Sequence, residues 1–427
     1  MTMHNRYIRI ILALAALLCA VSCHFANDYT VDFDDVDSSD PLWFKVTSSG
    51  TVDLSDGFPA ECFMPGGDPA NEYQEDPDTK TTSTNATITL QSLLDFGYGK
   101  KLVTLSGTYM STDIDGSPIK LSGKVILPAD GKFKRFIVVS HYTIGSDIEA
   151  PSRCFPLEAV IAPLGYAMIF PDYIGYGVTA SRPHPYLVMD LTAKNVTDMY
   201  FAVKPFLEAA GVRPEHDDIF LMGYSQGGAT TMEVQRELEL NHPEVEIRRN
   251  FAGGGPYDIV ATYDNFVTTN VASYPCAVPL VLQGMKEGAG LDLDLKKMTT
   301  PLVYEHIDEW FNSKKYPTSM LNQLLGTKVT SELISEEGRD RTSDMVAKLY
   351  KVMTNNSIAQ QSWTPEAPVY MFHSMDDDVV LYLNAQLAKN QWKNSNITYN
   401  FGHYGGHIKA CVRFIFTVQN ILGKEKD

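Results

Sequence analysis

The sequence predicts an α/β protein with a mostly parallel central sheet that helices cover on both faces. Two observations lead to this fold class. After residue 128, short continuous apolar runs recur along the chain and helical stretches separate them, which is typical of strands buried on both faces. The chain has 427 residues, of which 44% are hydrophobic and 20% charged, as expected for a folded globular protein with a large core.

The expected strands follow from these runs in chain order. Two strands are predicted at 102–110 and 119–127, joined by a turn-rich connection at 111–116. The later runs lie at 136–140, 167–170, 219–222, 245–252 and 369–372, with a weaker alternating pattern at Ile397, Tyr399 and Phe401. Helices are expected between them, at 191–210 and 226–240 among others.

The stretch from 262 to 364 interrupts this alternation. About 100 residues separate two consecutive strands, where one helix and two loops normally suffice. Its apolar pattern is mostly helical, so the core is predicted to comprise 101–261 and 365–427 with a helical insertion between them. We expect this insertion to be a lid over a site, since segments at the carboxyl edge of such sheets usually shape the pocket; a structural embellishment is the alternative.

The N-terminal segment 1–22 has the pattern of a secretory signal peptide. Arg6 and Arg9 precede an apolar run that is too short to span a membrane comfortably. Small residues stand directly before Cys23, and this junction resembles the lipobox of bacterial lipoproteins. The resemblance implies a lipid on Cys23 and anchoring to the cell envelope, at the outer membrane or cell surface. Plain secretion, or release into the periplasm, is the alternative.

Two further segments separate this signal from the predicted core. Residues 23–40 contain six aspartates and no cation, which indicates a solvated acidic tether. Residues 41–100 are rich in Gly, Pro, Ser, Thr and Asp, and we expect an irregular extension there.

The charge of the chain excludes several classes of partner. Asp and Glu number 52 against 35 Lys and Arg, a net charge of −17. Clustered cations for nucleic acid are not found, and electrostatic docking on an anionic membrane is disfavoured. A membrane partner is therefore expected only through the lipid anchor.

A candidate nucleophile lies at the end of the predicted strand 219–222. The residues that follow, Gly223-Tyr224-Ser225-Gln226-Gly227, form a Gly-x-Ser-x-Gly pattern between an apolar strand and a helix. Glycines two positions before and after the serine allow the tight turn that exposes such a nucleophile. A glycine-rich turn without chemistry is the alternative.

A serine hydroxyl needs a base, and the base needs an orienting acid. The strand ending at His373 is followed by three aspartates, and the usual layout places the acid four residues after the His and three before a Val, which selects Asp377. Asp376 and Asp378 remain alternatives. Downstream, His407 opens a helix in a glycine-flanked junction and is the predicted base, with His403 as the alternative. The order serine, acid, histidine is that of the nucleophile-elbow architecture.

The main-chain N–H groups that would stabilise an oxyanion are expected at two places. One is Gln226, which follows the nucleophile. The other is in the loop after 136–140, where Tyr142 is favoured and Thr143 is the alternative. His141 is interpreted as an anchor of this loop.

No Cys/His spacing indicates zinc, and Cys62, Cys154, Cys276 and Cys411 leave disulfide pairing open.

With these segments assembled, residues 101–422 resemble the α/β-hydrolase superfamily, and within it the secretory lipase and lipase-A-like esterase branch. Four motifs besides the serine turn are shared, and their order is shared too: Tyr109-Met110-Ser111-Thr112-Asp113, Pro171-Asp172-Tyr173, His184-Pro185-Tyr186-Leu187 and Gly254-Gly255-Pro256-Tyr257-Asp258. The resemblance implies hydrolysis of acyl esters through an acyl-serine intermediate, a helical lid and no cofactor.

The leading hypothesis is a monomeric serine carboxylic-ester hydrolase that acts on a small-molecule, lipid or acylated-sugar ester. Two rivals remain. One is a serine peptidase of the same fold, which differs in the leaving group. The other is a binding protein that kept the fold and lost catalysis.

Overall fold

The computed structural model of the chain describes residues 43–54, 57–67, 101–393 and 396–425. The signal segment 1–22, the tether 23–40 with Cys23, and much of the extension 41–100 lie outside the described residues.

A nine-stranded sheet forms the centre of the molecule. Its strands in chain order are β1 (Lys45–Asp53), β3 (Lys101–Thr112), β4 (Pro118–Pro128), β5 (Arg135–Ser140), β7 (Tyr166–Pro171), β8 (Ile219–Tyr224), β9 (Ile247–Gly253), β10 (Val369–Ser374) and β11 (Ile397–Gly402). Their order in the sheet is β1-β3-β4-β7-β5-β8-β9-β10-β11. Two short strands, β2 (Cys62–Phe63) and β6 (Phe155–Pro156), pair separately in parallel.

Most neighbours in this sheet are parallel. The pairs from β7 through β5, β8, β9 and β10 to β11 all run in parallel, whereas β1, β3, β4 and β7 are joined by antiparallel pairs. The predicted fold class, a mostly parallel sheet within an α/β protein, is therefore confirmed. Because β5, β8, β10 and β11 share one direction, the segments that follow them meet at one edge of the sheet.

The described part of 41–100 differs from the predicted irregular extension. Lys45–Asp53 is a strand that pairs antiparallel with β3 and forms an edge of the sheet. Most of its side chains are exposed or half-buried, and they are mainly short and polar. An edge strand of this kind buries no apolar face, so it leaves no period-two hydrophobic pattern in the sequence.

Helices cover both faces of the sheet. Outside the insertion they are Met189–Ala209, Gln226–Asn241, Leu383–Gln391 and His407–Leu422, with 3-10 turns at Asp147–Glu149, Leu157–Leu164 and Gly177–Thr179. Strand β5 shows how the faces divide: Phe136 and Val138 pack in the layer of Met189–Ala209, whereas Ile137 and Val139 pack in the layer of His407–Leu422. This burial of alternate residues on opposite faces explains the continuous apolar run of the strand.

Apart from two isolated bridges, Val271 with Val329 and Thr299 with Ile334, the regular secondary structure of the segment between β9 and β10 is helical. It contains helices at Ile259–Thr269, Ala277–Gly288, Leu295–Met298, Pro301–Tyr304, Thr318–Leu325, Glu336–Arg339 and Asp344–Asn355, a π-helical stretch at Ile307–Asn312, and 3-10 turns at Thr330–Glu332 and Ile358–Gln360. Its first helix begins at Ile259, slightly before the predicted boundary at 262. Its apolar side chains form a core that is continuous with Val369 and Met371 of β10.

The four cysteines of the described region, Cys62, Cys154, Cys276 and Cys411, are all buried with free thiols.

None of the helices in the described ranges is both long and apolar enough to cross a bilayer.

One buried carboxyl group makes the stability of the fold depend on pH. Glu158, in the 3-10 helix Leu157–Leu164, is 3% exposed, and its Oε1 has no hydrogen-bond partner among the described residues. Burial raises the pKa of Glu158 from 4.5 to about 7. Between these two values the unfolded chain has released the proton and the native chain retains it, so the contribution of Glu158 to stability falls as the pH rises.

We therefore expect Glu158→Gln to gain stability relative to the wild type between pH 5 and pH 8. At roughly 1.4 kcal/mol per pKa unit, the gain is about 3 kcal/mol in the free energy of unfolding. Urea denaturation of both proteins at the two pH values measures it, with the exposed Glu305→Gln as the matched control. If the free energies of unfolding of Glu158→Gln and the wild type differed by the same amount at both pH values, the raised pKa of Glu158 would be contradicted.

Candidate active site

The serine of the Gly-x-Ser-x-Gly pattern lies in a strained turn. Ser225 follows the last residue of β8 and caps the helix Gln226–Asn241, with φ of 59° and ψ of −124°. Positive φ is unfavourable for a residue with a Cβ and persists only where the surroundings hold it. The turn presents the partly exposed hydroxyl at the carboxyl edge of the sheet.

Steric crowding explains why both outer positions of the Gly-x-Ser-x-Gly pattern are glycine. A Cβ on Gly223 would lie 2.0 Å from the carbonyl oxygen of Gly227. A Cβ on Gly227 would lie 1.9 Å from the carbonyl oxygen of Ser140, at the end of β5. Both distances are far shorter than any van der Waals contact, so the turn closes against itself and against β5 only with glycine at both positions.

The structure brings the three predicted side chains into one hydrogen-bonded chain. Ser225 Oγ lies 2.8 Å from His407 Nε2, and His407 Nδ1 lies 2.6 Å from Asp377 Oδ2. His407 is the first residue of the helix His407–Leu422, and Asp377 follows β10. We assign the ring proton to Nδ1, where the carboxylate accepts it, so Nε2 is free to accept the serine proton.

Asp377 is held in its ionised form by its surroundings. It is 4% exposed, and its Oδ1 accepts the main-chain N–H groups of Val379 at 3.0 Å and Val380 at 2.8 Å. Burial alone would raise its pKa, but the adjacent His407 imidazole and the hydrogen bonds to the carboxylate keep the pKa of Asp377 below its ordinary value.

A second histidine lies behind the acid. His373 is fully buried, its Nε2 donates to the carbonyl oxygen of Val380 at 2.8 Å, and the same nitrogen is 3.8 Å from Asp377 Oδ2. Burial lowers the pKa of His373, so its ring is neutral. Its hydrogen bond holds the loop that carries the acid.

The alternative residues occupy different places. Asp376 and His403 pair with each other at 2.7 Å, and both side chains are largely exposed. Asp378 accepts the main-chain N–H of His407 at 2.9 Å. Of the three adjacent aspartates, Asp377 alone bonds to the His407 ring, and it is the one that the sequence layout favoured over Asp376 and Asp378.

The residues predicted to supply oxyanion N–H groups lie beside the serine. Tyr142 and Thr143 line the same cavity as Ser225 and His407, and Gln226 directly follows the serine. Within the described ranges, the main-chain N–H groups of Tyr142, Thr143 and Gln226 donate no hydrogen bond to another protein atom. The Tyr142 hydroxyl points elsewhere, to the carbonyl oxygen of Phe63 at 3.2 Å.

Two buried histidines support these backbone segments. His141 Nδ1 lies 2.6 Å from the carbonyl oxygen of Tyr142, and its ring stacks on Tyr173. Burial lowers the pKa of His141 to about 4, so the ring is a neutral donor to its own loop. His184 donates through Nδ1 to the carbonyl oxygen of Ile174 and accepts the Gln226 side-chain amide at 3.0 Å through Nε2.

Further support for the loop after β5 comes from residues that the sequence did not indicate. The Glu149 carboxylate accepts the N–H groups of Gly145 at 3.1 Å and Ser146 at 2.9 Å. The carbonyl oxygen of Lys314, in the helical insertion, accepts the N–H of Asp147 at 2.8 Å. These contacts tie the insertion to the loop. The Ser-x-x-Glu spacing of Ser146 and Glu149 is a local sequence pattern that is typical of a capping box. The contact with Lys314 joins distant parts of the chain and leaves no pattern in the sequence.

An apolar cavity lies at Ser225 and His407, and its empty space of about 780 Å³ includes a part that is open to solvent. Two helices of the insertion, Ile259–Thr269 and Ala277–Gly288, supply much of its wall. Their apolar side chains at the cavity are Ile259, Tyr263, Phe266, Ala277, Val278 and Val281. Sequence periodicity predicted these helices without indicating which of their faces lines a cavity.

No group of three or more His, Cys, Asp or Glu side chains in the described ranges is arranged to hold a metal ion.

Comparison with known proteins shows the family to which the chain belongs. A family model described as secretory lipase matches residues 156–413, more than half of the chain. None of the curated proteins compared with the chain matches it significantly.

Solved structures share the fold at low sequence identity. The rice cell wall degrading esterase LipA from Xanthomonas oryzae is 18% identical, with a TM-score of 0.65 over 78% of this chain and 92% of that one. Candida antarctica lipase A is 18% identical, with a TM-score of 0.52 over 72% and 73% of the two chains. The fold is that of the α/β-hydrolases, and the chain belongs to the secretory lipase family.

Proposed function

We propose that this protein hydrolyses carboxylic esters through an acyl-serine intermediate. The observation that carries the proposal is the unbroken hydrogen-bonded chain from Ser225 through His407 to the ionised Asp377, which ends at an apolar cavity. This arrangement supplies a nucleophile, a base and an orienting acid in the positions that acyl transfer requires.

The proposed reaction has two halves. In the first, His407 Nε2 takes the proton of Ser225 as Oγ attacks the ester carbonyl, and the same proton is then given to the departing alcohol. In the second, His407 Nε2 takes a proton from a water that attacks the acyl carbonyl, the bond to Ser225 Oγ breaks, the carboxylic acid leaves, and the proton returns to Oγ. Asp377 accepts the hydrogen bond from Nδ1–H throughout without taking the proton, which keeps the imidazole in the right tautomer and stabilises its charged form.

The tetrahedral oxyanion would be stabilised by the main-chain N–H groups of Gln226 and Tyr142, with Thr143 as the alternative to Tyr142. Support comes from the fact that these groups have no protein acceptor in the described ranges and that two of the residues line the cavity at the serine. Donors held in place before the reaction cost no reorganisation when the charge forms.

The walls of the cavity favour an ester with an apolar acyl group. Desolvation of a hydrocarbon chain against the side chains of Ile259–Thr269 and Ala277–Gly288 is favourable, whereas a charged substrate would lose its hydration there. The insertion that carries these helices acts in this proposal as a lid. The same chemistry would serve lipid and acylated-sugar esters, which share this acyl half.

Export and anchoring complete the proposal. Arg6, Arg9 and the apolar run after them form the predicted signal, and Cys23 is the residue that would carry lipid. Membership of a family of secretory lipases supports export.

Removal of the nucleophile tests the reaction. Ser225→Ala is expected to lower kcat for p-nitrophenyl butyrate by several orders of magnitude, because the covalent route is lost. Circular dichroism verifies that the variant folds, and a panel of aminoacyl amides distinguishes a peptidase from an esterase. Wild-type turnover no greater than that of Ser225→Ala, on every ester tried, would refute the proposal.

Narrowing the cavity tests the assignment of the acyl site. Val281 is buried in Ala277–Gly288 and lines the cavity, so Val281→Phe should lower kcat/KM for p-nitrophenyl octanoate far more than for the acetate. Val271→Phe, at an exposed position of the same insertion, is the matched control. Equal losses on both esters would show that the acyl chain binds elsewhere.

The lipid anchor is tested by metabolic labelling in a bacterial host with an alkyne analogue of palmitate. We expect the wild type to be labelled and to sediment with membranes, and Cys23→Ala to show neither property. An unlabelled wild type would exclude the anchor and leave plain secretion.

A further inference from the structure

Both main-chain polar groups of His407, the N–H and the carbonyl oxygen, make hydrogen bonds to side chains from other segments. Its N–H donates to Asp378 Oδ1 at 2.9 Å, and its carbonyl oxygen accepts the hydroxyl of Tyr224 at 2.8 Å. Asp378 comes from the loop after β10, and Tyr224 is the last residue of β8, directly before the nucleophile. The two bonds therefore attach the histidine to the loop that carries the acid and to the strand that carries the serine.

The segment before His407 has little stiffness of its own. It contains Gly402, Gly405 and Gly406, and Gly405 has a φ of 83°. Gly406 precedes the helix His407–Leu422 and has no side chain with which to cap it. Glycine-rich segments sample many backbone conformations, so the position of the His407 Cα depends on contacts from outside the segment.

Asp378 supplies the missing cap from across the loop. Its carboxylate fits against Gly406, where a Cβ would lie 2.8 Å from Oδ1. Gly406 has an ordinary φ of −60°, so a side chain there would not strain the backbone but would displace the Asp378 carboxylate. A carboxylate at the N-terminus of a helix is favourable in itself.

Tyr224 holds the carbonyl end from inside the core. It is 2% exposed, and its ring lies 5.1 Å from the imidazole of His407. Two consecutive glycines leave room for it, because a Cβ on Gly253 or Gly254 would lie 2.7 Å from the Tyr224 ring. The pair Gly253-Gly254 at the end of β9 therefore makes room for the tyrosine that precedes the nucleophile.

We propose that Asp378 and Tyr224 are positioning residues that clamp the His407 main chain, so that Nε2 stays within hydrogen-bonding distance of Ser225 Oγ. The clamp rests on the proposed serine mechanism, and it adds to the role of Asp377, which orients the ring. Neither positioning residue bonds to the imidazole, so both are expected to act on the rate of the chemical steps. Tyr224 also lines the cavity, so its test removes the hydroxyl alone and leaves the ring that faces the cavity in place.

The experiment compares kcat and KM for p-nitrophenyl butyrate across variants. Asp378→Ala and Tyr224→Phe should each lower kcat by about threefold to tenfold with KM unchanged, and the double variant should lose more than either. Asp378→Asn retains an acceptor for the His407 N–H and should recover most of the loss. Gly406→Ala displaces the carboxylate without altering any ionisable group and should reproduce the effect of Asp378→Ala.

Several outcomes would overturn the clamp. These are an unchanged kcat in Asp378→Ala and Tyr224→Phe, a rise in KM without a fall in kcat, or an Asp378→Asn variant as impaired as Asp378→Ala. If Asp378→Ala does not fold by circular dichroism, Tyr224→Phe and Gly406→Ala decide. Ser225→Ala is measured alongside: if it retains activity, the serine mechanism fails, whereas its inactivity beside a fully active Asp378→Ala refutes only the clamp.

Discussion

The close approach of backbone to backbone at Ser225 is the constraint on which the rest of the site depends. Gly227 contacts the carbonyl oxygen of Ser140, which holds the nucleophile turn against the end of β5. The loop with the proposed oxyanion donors begins at that same end, so one packing contact sets the distance between the nucleophile and these donors. The strained φ of Ser225 is tolerated because the turn is closed on both sides.

The strands beside this turn run parallel to β8 and position the other two residues of the hydrogen-bonded chain. Because β10 and β11 run in the same direction as β8, the segments after them deliver Asp377 and His407 to the edge where Ser225 lies. Helices of the insertion line the cavity at that edge, and the insertion is tied to the loop after β5 through the carbonyl oxygen of Lys314, which accepts hydrogen bonds from the Ser146 hydroxyl and the Asp147 N–H. The hydrogen-bonded chain and the cavity wall are thus joined through this loop.

Much of this architecture could be predicted from the sequence because it rests on local patterns. Buried parallel strands leave continuous apolar runs, and the nucleophile turn requires glycines at fixed spacing around Ser225. The edge strand Lys45–Asp53 was missed because it buries almost nothing. Among three consecutive aspartates the sequence layout favoured Asp377 but left Asp376 and Asp378 open, and it gave no role to the other two. The fold shows that Asp377 bonds to the imidazole, Asp378 to the His407 main chain and Asp376 to His403. The cavity could not be predicted from the sequence, because it depends on how helices far apart in the chain face one another.

The most direct test of the central claim, that the hydrogen-bonded chain makes Ser225 a nucleophile, is its covalent labelling by a fluorophosphonate. The rate of labelling is measured at neutral pH and the modified residue is located by mass spectrometry. We expect a single adduct on Ser225 that forms far more slowly in Asp377→Asn than in Asp376→Asn. An unlabelled wild-type protein, or an adduct on another residue, would contradict it.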